Sequence, residues 1–370
     1  MTKWSRIFIK SNVWIPLIAI VLGLLCGAIV MWIGGYNAWS AYSALWQKVS
    51  GSKYDIGETI RTITPLLFTG LSVGFAFRAG LFNIGADGQF IMGMTGATIV
   101  GIKLHGLPWI VHAPIAVIVG ALVGGLWGAI AGVLKSSRGV NEVISCIMLN
   151  WIALYLSNYL VRTLVLEKGQ QRSQMIQDSA SLSIGWLSKA MDNARMDGGI
   201  WVALICVAVF YVLLWRTKQG YELRAVGHNA DAAKVAGIDV KSSLLKSMMI
   251  SGIFAGLGGV FEVLGVFHYQ VISAASSGYG FDGIAVALLG GNHPIGILLG
   301  SILFGVLTYG SAGMNFTANV PTEIVRIVIG CIIFFVASHG FIQMLLNPRK
   351  PRRSSKKKGA VERGSDLGLG

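Results

Sequence analysis

The sequence predicts an all-α membrane protein, a polytopic bundle of about ten transmembrane helices with short or broken helices in each half. Hydrophobic residues make up 54% of the chain and charged residues only 12%, whereas soluble domains carry about 25% charged residues. The mean hydropathy of +0.66 means that most side chains face lipid or one another. Apolar segments of spanning length recur along the whole chain.

Eight apolar segments have the length of a membrane span. A further pair lies before the last of them in the second half, broken by the sequence Gly-Gly-Asn-His-Pro, and its first member is short for a hydrocarbon core of about 30 Å. The first segment is longer than the apolar core of a signal peptide and no A-x-A site follows it, so we expect a retained helix. The ten segments are 14–34, 58–78, 88–104, 111–134, 142–164, 199–216, 246–268, 281–292, 294–312 and 320–345.

The basic residues predict the orientation of these spans. With the N-terminus in the cytoplasm, two thirds of the 30 Lys and Arg residues fall on the cytoplasmic side, and the positive-inside rule then places both termini there. The cluster RKPRRSSKKK at 349–358 could contact nucleic acid, but beside a membrane helix it is more typical of attraction to anionic lipid. We therefore expect a transmembrane domain over 1–348, a basic disordered tail over 349–370, and no nucleic-acid partner.

Glycines recur every four residues in several of the apolar segments. Such ridges of small residues let membrane helices approach closely. The pattern therefore predicts tight helix crossings and needs no chemical function. The ridges are Gly120–Gly124–Gly128–Gly132, Gly252–Gly256 and Gly296–Gly300.

Two regions are too polar and too rich in glycine for plain spanning helices. The first is FRAGLFNIGADGQF at 77–90, with Asp87 near a predicted helix N-terminus. The second is GYGFDGI at 278–284, followed by the break at 290–294. Irregular backbone at membrane depth is tolerated only where protein packs around it or a cavity borders it. Interrupted segments in both halves therefore indicate a transport pathway and hint at an internal duplication, although an ordinary cytoplasmic turn would also explain the first region.

A short helix is predicted between two spans on the basic side. Asn229 is a plausible N-cap, Ala230–Ala236 is rich in alanine, and Gly237 is a plausible stop signal. Such a helix either lies on the membrane surface or docks into a groove on a soluble partner.

Charged residues and missing motifs restrict the chemistry. A carboxylate in a span is costly and is expected to face a cavity or a partner; Glu262 could pair with Arg326 or lie near His268, and a structural ion pair is an equal alternative to a substrate contact. The chain has no P-loop, H-E-x-x-H or G-x-S-x-G motif, and its four cysteines form no C-x-x-C pair. We expect no catalytic residue, no metal site and no cofactor. The acidic residues near spans are Asp87, Glu142, Glu262, Asp282 and Glu323.

Four long segments resemble a known family. They are FRAGLFNIGADGQF (77–90), GVNEVISCIMLNWIALYL (139–156), LRAVGHNADAAKVAGI (223–238) and GFDGIAVALLGGNHPIGILL (280–299). Together they resemble the permeases of binding-protein-dependent ABC importers for branched-chain amino acids, ribose and nucleosides, and most of all the nucleoside and simple-sugar branch. Position 87 holds Asp where many relatives are expected to hold Glu, which keeps the charge.

The resemblance implies a membrane-spanning permease subunit, not an enzyme, in the bacterial plasma (inner) membrane. It implies ATP-binding cassette subunits as partners, a second, paralogous permease chain, and an extracytoplasmic substrate-binding lipoprotein that delivers a nucleoside or simple sugar. The helix at about 224–237 corresponds to the family's coupling helix, which contacts the ATPase. The residues assigned to this contact are Arg224, Gly227, His228, Asn229, Ala230, Ala233 and Gly237.

The same resemblance places three segments around the central path, at 82–89, 141–150 and 281–291. Their amide and carboxylate groups suit a hydroxyl-rich ribosyl ligand, as they suit many polar ligands. The alternative function is an ion-coupled secondary transporter, which also has broken helices and intramembrane carboxylates but needs no docking helix. The candidate path residues are Asn83, Gln89, Glu142, Asn150 and Asp282.

Overall fold

The computed structural model describes residues 14–337. The basic residues ahead of the first helix, the end of the last predicted span and the tail 349–370 lie outside this range. Within it the chain forms fourteen α-helices. They are α1 (Trp14–Ile33), α2 (Ala38–Ser50), α3 (Lys53–Arg78), α4 (Ala86–Lys103), α5 (Trp109–Arg138), α6 (Glu142–Leu164), α7 (Gly185–Ala190), α8 (Gly199–Arg216), α9 (Lys218–His228), α10 (Ala230–Val235), α11 (Val240–Phe261), α12 (Tyr279–Leu289), α13 (Pro294–Ala318) and α14 (Thr322–Ala337).

The described part of the chain confirms the all-α membrane fold. Residues 14–337 contain no β-strand, and each of the ten predicted apolar segments coincides with a helix. Six helices of this range are long and apolar enough to cross a bilayer: α3, α5, α6, α8, α11 with its π-helical end, and α13. Helix α12 has 11 residues, about 16 Å at 1.5 Å per residue, which confirms a short helix in the second half.

Two helices lie at the centre of the bundle. In an apolar stretch of 18 residues within α3, 83% is buried, compared with 28% in the corresponding stretch of α8 at the periphery. Helix α11 is buried almost as completely as α3, and Phe68 stacks on Phe261 where the two helices meet, with ring centroids 5.7 Å apart. The peripheral helix α8 is more apolar than α3, with a mean hydropathy of 2.1 compared with 1.4 for α3, because lipid-facing positions must be apolar whereas polar groups in a span face the bundle interior.

The glycine ridges pack as predicted. In α5, a methyl group added at Gly124 would lie 2.7 Å from the carbonyl oxygen of Gly252 and equally close to the Cα of Gly256, both in α11. Gly93 of α4 meets Gly256 in the same way. Helices α4, α5 and α11 therefore touch through their backbones, and this crossing fixes the position at which α4 begins.

The helix ends form two opposite ends of the bundle. At one end, which we call the basic end, Arg78 at the close of α3 contacts the turn between α12 and α13. At the other end, the long loop 165–198 folds back on the helices, because Arg195 binds Glu58 of α3 and Trp109 binds the carbonyl of Ser181. The basic end comprises 79–80, 139–141, 217–239 and 290–293.

Substituting Gly124 by Ala should destabilise the protein by about 1–3 kcal/mol, because the added methyl group forces α5 away from α11. The matched control is Gly330→Ala in α14, where no described atom lies within 4 Å of the added methyl group. Thermal unfolding of the two purified variants in detergent measures the difference, and equal melting temperatures would contradict the close crossing.

Candidate functional site

Two interrupted helices meet inside the bundle. Helix α4 begins at Ala86 after the irregular turn 79–85, and α12 begins at Tyr279 after the irregular segment 268–278. Asp87 joins them, because its Oδ1 accepts a hydrogen bond of 3.1 Å from the backbone N–H of Gly280, and Ser276 donates its hydroxyl to the other carboxylate oxygen. The sequence prediction that Asp87 lies at a helix N-terminus is confirmed.

Asp87 supplies the cap that α12 lacks. The N-cap position of α12 is Gly278, at φ +80°, and it offers no side-chain acceptor to the first N–H groups of the helix. Unpaired N–H groups at a helix start attract a carboxylate, and here it comes from the first turn of another helix. The buried Asp87 therefore lies where the positive ends of two helix dipoles converge.

This meeting point lies well inside the bundle, away from both of its ends. Asp87 is about 24 Å along α4 from the far end at Lys103, at 1.5 Å per residue. Asn150, which contacts the turn before α4, is about 12 Å along α6 from the basic end at Glu142. A hydrocarbon core of about 30 Å centred between these two helix ends would therefore contain the start of α4.

A closed hydrogen-bond network holds the turn before α4. The Nδ2 of Asn83 donates to Ser251 at 2.6 Å and to the Oε1 of Gln89 at 2.9 Å, while Gln89 donates back to Asn83 at 3.1 Å. The backbone N–H of Gly85 also donates to Asn83, and Ser72 contacts Ser251. Because Asn83 and Gln89 are buried and satisfied by protein groups, they fix the shape of the turn in this conformation.

Asn150 fastens the same turn to α6. Its Oδ1 accepts from the backbone N–H of Gly88 at 2.8 Å, and its Nδ2 donates to the carbonyl of Ile84 at 3.0 Å. Paired backbone groups of this kind allow an irregular turn to exist at membrane depth.

The five candidate path residues separate into two places. Asn83, Gln89 and Asn150 surround the turn before α4, and the half-buried Asp282 lies in the first turn of α12 near Asp87. Glu142 lies apart, at the basic end, where its carboxylate binds Lys135 at 2.8 Å. Contact of these residues with a transported molecule stays a prediction.

The segment 271–278 is the exposed part of the site. Gln270 anchors its start, donating to Thr95 of α4 at 3.0 Å and to Ser157 of α6 at 2.7 Å. Asn158 binds the carbonyl of Ser273 at 2.8 Å. Beyond this point several residues are exposed although the segment runs to the depth of Asp87. Non-helical backbone cannot face lipid, so water or another protein must cover this surface.

A buried ion cluster lies at the opposite end of the bundle from the basic end. Glu58 binds Arg61 and Arg195, each at 2.8 Å. Glu262, at the start of the π-helix, lies 3.8 Å from Arg61 and within 3.4 Å of the hydroxyl of Tyr279. The expectation that Glu262 pairs with Arg326 was therefore wrong, because the chain folds Arg61 against it.

Asp197 lies beside this cluster, just before α8. It is buried, and its Oδ2 has no hydrogen-bond partner within the described range. Burial, and to a lesser extent the nearby Glu262 carboxylate, raises the pKa of Asp197 to about 7. The cluster thus avoids a further full negative charge near neutral pH.

Sequence reasoning missed this cluster. The signal was present in Glu58 and Arg61, two opposite charges three residues apart in an apolar helix, which by default suggests a functional or structural pair in the membrane. Nothing local to Arg195 or Asp197 identifies their partners, since both contacts form across the long loop.

The predicted short helix on the basic side is present. Asn229 caps α10 through a bond of 2.9 Å from the N–H of Ala232, and Gly237 follows the helix at φ +82°. A second helix, α9, precedes it, so the range 224–237 contains two helices that break at Asn229. The exposed residues of the predicted docking set are His228, Asn229, Ala230 and Gly237, whereas Gly227, Ala233 and Arg224 face the membrane domain to varying degrees.

Comparison with known proteins adds to this geometry. A family described as "Branched-chain amino acid transport system / permease component" matches residues 56–337. The chain is 46% identical over 342 residues to the guanosine ABC transporter permease protein NupP of Bacillus subtilis, covering 92% of this chain and 98% of that protein. It is 39% identical over 356 residues to the nucleoside ABC transporter permease protein NupB of Lactococcus lactis, covering 94% and 98%. The glucose ABC transporter permease protein TsgB13 of Haloferax volcanii is 29% identical over 336 residues, covering 89% and 88%.

Replacing Asp87 by Ala should destabilise the protein by about 1–3 kcal/mol, because the buried N–H of Gly280 loses its acceptor. Asp87→Asn is the matched control, since its amide oxygen can still accept from Gly280, and it should lose less. Thermal unfolding in detergent compares the two. An Ala variant as stable as the Asn variant would show that the cap contributes nothing.

Proposed function

The chain belongs to the permease component family of branched-chain amino acid transport systems, and on this premise we propose that it forms the membrane path of an ATP-driven nucleoside importer. Two of the relatives compared above, at 46% and 39% identity over nearly the whole chain, carry the names of guanosine and nucleoside permeases. The glucose permease is less similar. The similarity therefore favours a nucleoside over a simple sugar as cargo.

The single structural observation that carries the proposal is the exposed helical element at the basic end. Helix α10 is held by its cap at Asn229, yet Val235 at its end is 90% exposed. An apolar side chain on a short, fixed, exposed helix suits insertion into a groove on a soluble partner. We assign ATP-binding cassette subunits to this surface, and ATP hydrolysis to them, because this sequence has no P-loop of its own.

The exposed segment 271–278 supports a path shared with a second permease chain. Its backbone lies at membrane depth and must be covered by water or protein. Beside it, Trp151, Tyr155 and Tyr159 are exposed along the middle of α6, and not at its ends where interfacial aromatics are expected. We propose that a second, paralogous permease faces α6. The path between the two chains would then be bordered by the segment 271–278, Asp282 and the N-termini of α4 and α12.

The proposed orientation follows the charges. The basic end would face the cytoplasm with both termini, in the plasma membrane of a bacterium. The ion cluster around Glu58 and the long loop 165–198 would then face outward, where a substrate-binding lipoprotein delivers the cargo. Closure of the ATPase dimer would move the docking helices, and the two permeases would exchange inward-open and outward-open arrangements, a rigid-body switch.

Reconstitution tests this proposal directly. Liposomes holding this chain, its second permease and the ATPase, with binding protein outside and ATP inside, should accumulate labelled guanosine against its gradient. The control is a liposome loaded with ADP. Uptake driven by a Na⁺ or proton gradient and indifferent to ATP would support the alternative, an ion-coupled secondary transporter, and ATP-driven uptake of glucose alone would refute the nucleoside assignment.

Substituting Val235 by Glu should lower ATP-driven uptake about tenfold or more, because a charge would be buried at the centre of the docking surface. The side chain contacts solvent in the isolated chain, so folding and membrane insertion should stay normal. Val235→Thr, of nearly the same shape and uncharged, serves as the control. ATP-driven uptake by each variant measures the loss, and co-purification of the ATPase shows whether docking is lost with it. Full retention of the ATPase by the Glu variant would exclude docking at this helix.

A further inference from the structure

Arg78 holds the end of the short helix α12. It is the last residue of α3, and its Nε donates to the carbonyl of Asn292 at 2.7 Å while its Nη2 donates to the carbonyl of Gly291 at 2.9 Å. Gly291 and Asn292 both have positive φ, +59° and +54°, in the turn after α12. These two carbonyls lie just past the end of α12, beside the negative end of its dipole, and the guanidinium binds them through two charge-assisted bonds.

The same guanidinium also contacts the base of the docking element. Its central carbon lies 5.5 Å from the ring centroid of Trp215, in the last turn of α8 directly before α9. Arg224 of α9 lies 5.9 Å from the same ring, and His293 of the α12–α13 turn lies 5.4 Å from it. Trp215 therefore joins α9 to the turn that Arg78 holds.

A backbone contact forms a second connection. A methyl group added at Gly80, whose φ is +76°, would lie 3.0 Å from the Cα of Gly227 in α9. A methyl group on Gly227 would in turn overlap the carbonyl oxygen of Arg78. Helix α9 thus rests directly on the chain where α3 ends, with no side chain between them.

Helix α12 is consequently held at both ends by one stretch of chain. Arg78 binds its C-terminal turn, and Asp87, nine positions along, caps its N-terminus. Gly80, in contact with α9, lies between these two residues in sequence. Any displacement of α9 therefore acts on the stretch that fixes α12.

We propose that Arg78 is the positioning residue that transmits movement of the docking helices α9 and α10 to the half-helix α12 beside the path. The inference rests on the proposed function, since it requires a partner that moves α9. In this arrangement the stretch 78–87, the base of α9 and α12 move as one body. The fork geometry of arginine is essential, because a lysine carries the charge but cannot bind two carbonyls in a fixed plane.

The variants Arg78→Gln and Arg78→Lys test this transmission in the complete reconstituted importer, with nucleoside uptake and ATP hydrolysis measured together. Both should hydrolyse ATP at close to the wild-type rate, while uptake per ATP hydrolysed falls about tenfold, within the usual range of coupling between sites. The matched control is Arg216→Gln, which removes one positive charge from the same end at an exposed residue, and it should leave the ratio unchanged.

A distance measurement in the wild-type complex tests the same claim without altering Arg78. Spin labels introduced by unnatural amino acids at the exposed positions Tyr221 of α9 and Leu288 of α12 should keep one distance distribution with and without ATP. A distribution that shifts on ATP binding would overturn the single moving body. A normal ratio of uptake to ATP hydrolysis in Arg78→Gln would overturn only the proposed transmission through Arg78. Uptake by the wild-type importer that does not depend on ATP would contradict the proposed function, and the transmission through Arg78 with it.

Discussion

The fold depends on the need to pair every backbone polar group that lies in hydrocarbon. This chain interrupts two helices at membrane depth, and each interruption frees N–H groups that must find acceptors. Asp87 supplies the acceptor at the second interruption, since its carboxylate lies at the start of α4 and accepts a hydrogen bond from the N–H of Gly280 at the start of α12. The network of Asn83 and Gln89 and the bonds of Asn150 pair the turn before α4. An irregular region can therefore exist inside an otherwise apolar bundle.

Polar groups are arranged in layers between the two ends of the bundle. At the basic end, Arg78 joins the end of α12 to Trp215, which also contacts α9. Between the two ends, Asp87 joins α4 to α12. Near the far end, Glu58 forms ion pairs with Arg61 and Arg195. Helix α12 runs between the first two layers, and Tyr279 at its start reaches Glu262 of the third. This short helix therefore contacts all three layers, which suits it to respond to events at either end of a transport path.

Local signals explain what the sequence predicted correctly. Apolar run lengths located ten segments that each overlap a helix of the described range, a glycine period of four located the backbone crossings, and the Asn229 and Gly237 pair located α10. Helix α2 and the separation of α9 from α10 were missed, because neither depends on a long apolar run. Long-range partners could not be read either. Glu262 binds Arg61 and not Arg326, and Asn83 and Gln89 bind each other. Neither contact could be predicted, because a partner two hundred residues away, or an amide that bonds to a nearby amide, leaves no signal in the composition or the periodicity of the sequence.

The central claim is that the segment 271–278 carries its irregular backbone into the membrane and borders a water-filled path. Single cysteines at Ala275 and Ser277, in the assembled importer with its native cysteines replaced, test it most directly, with a cysteine at the exposed Ile205 of α8 as the lipid-facing control. The account predicts that a charged, membrane-impermeant thiol reagent modifies positions 275 and 277, that saturating nucleoside slows this reaction, and that position 205 reacts only with a lipid-soluble reagent. Modification of 275 and 277 by the lipid-soluble reagent alone would contradict it.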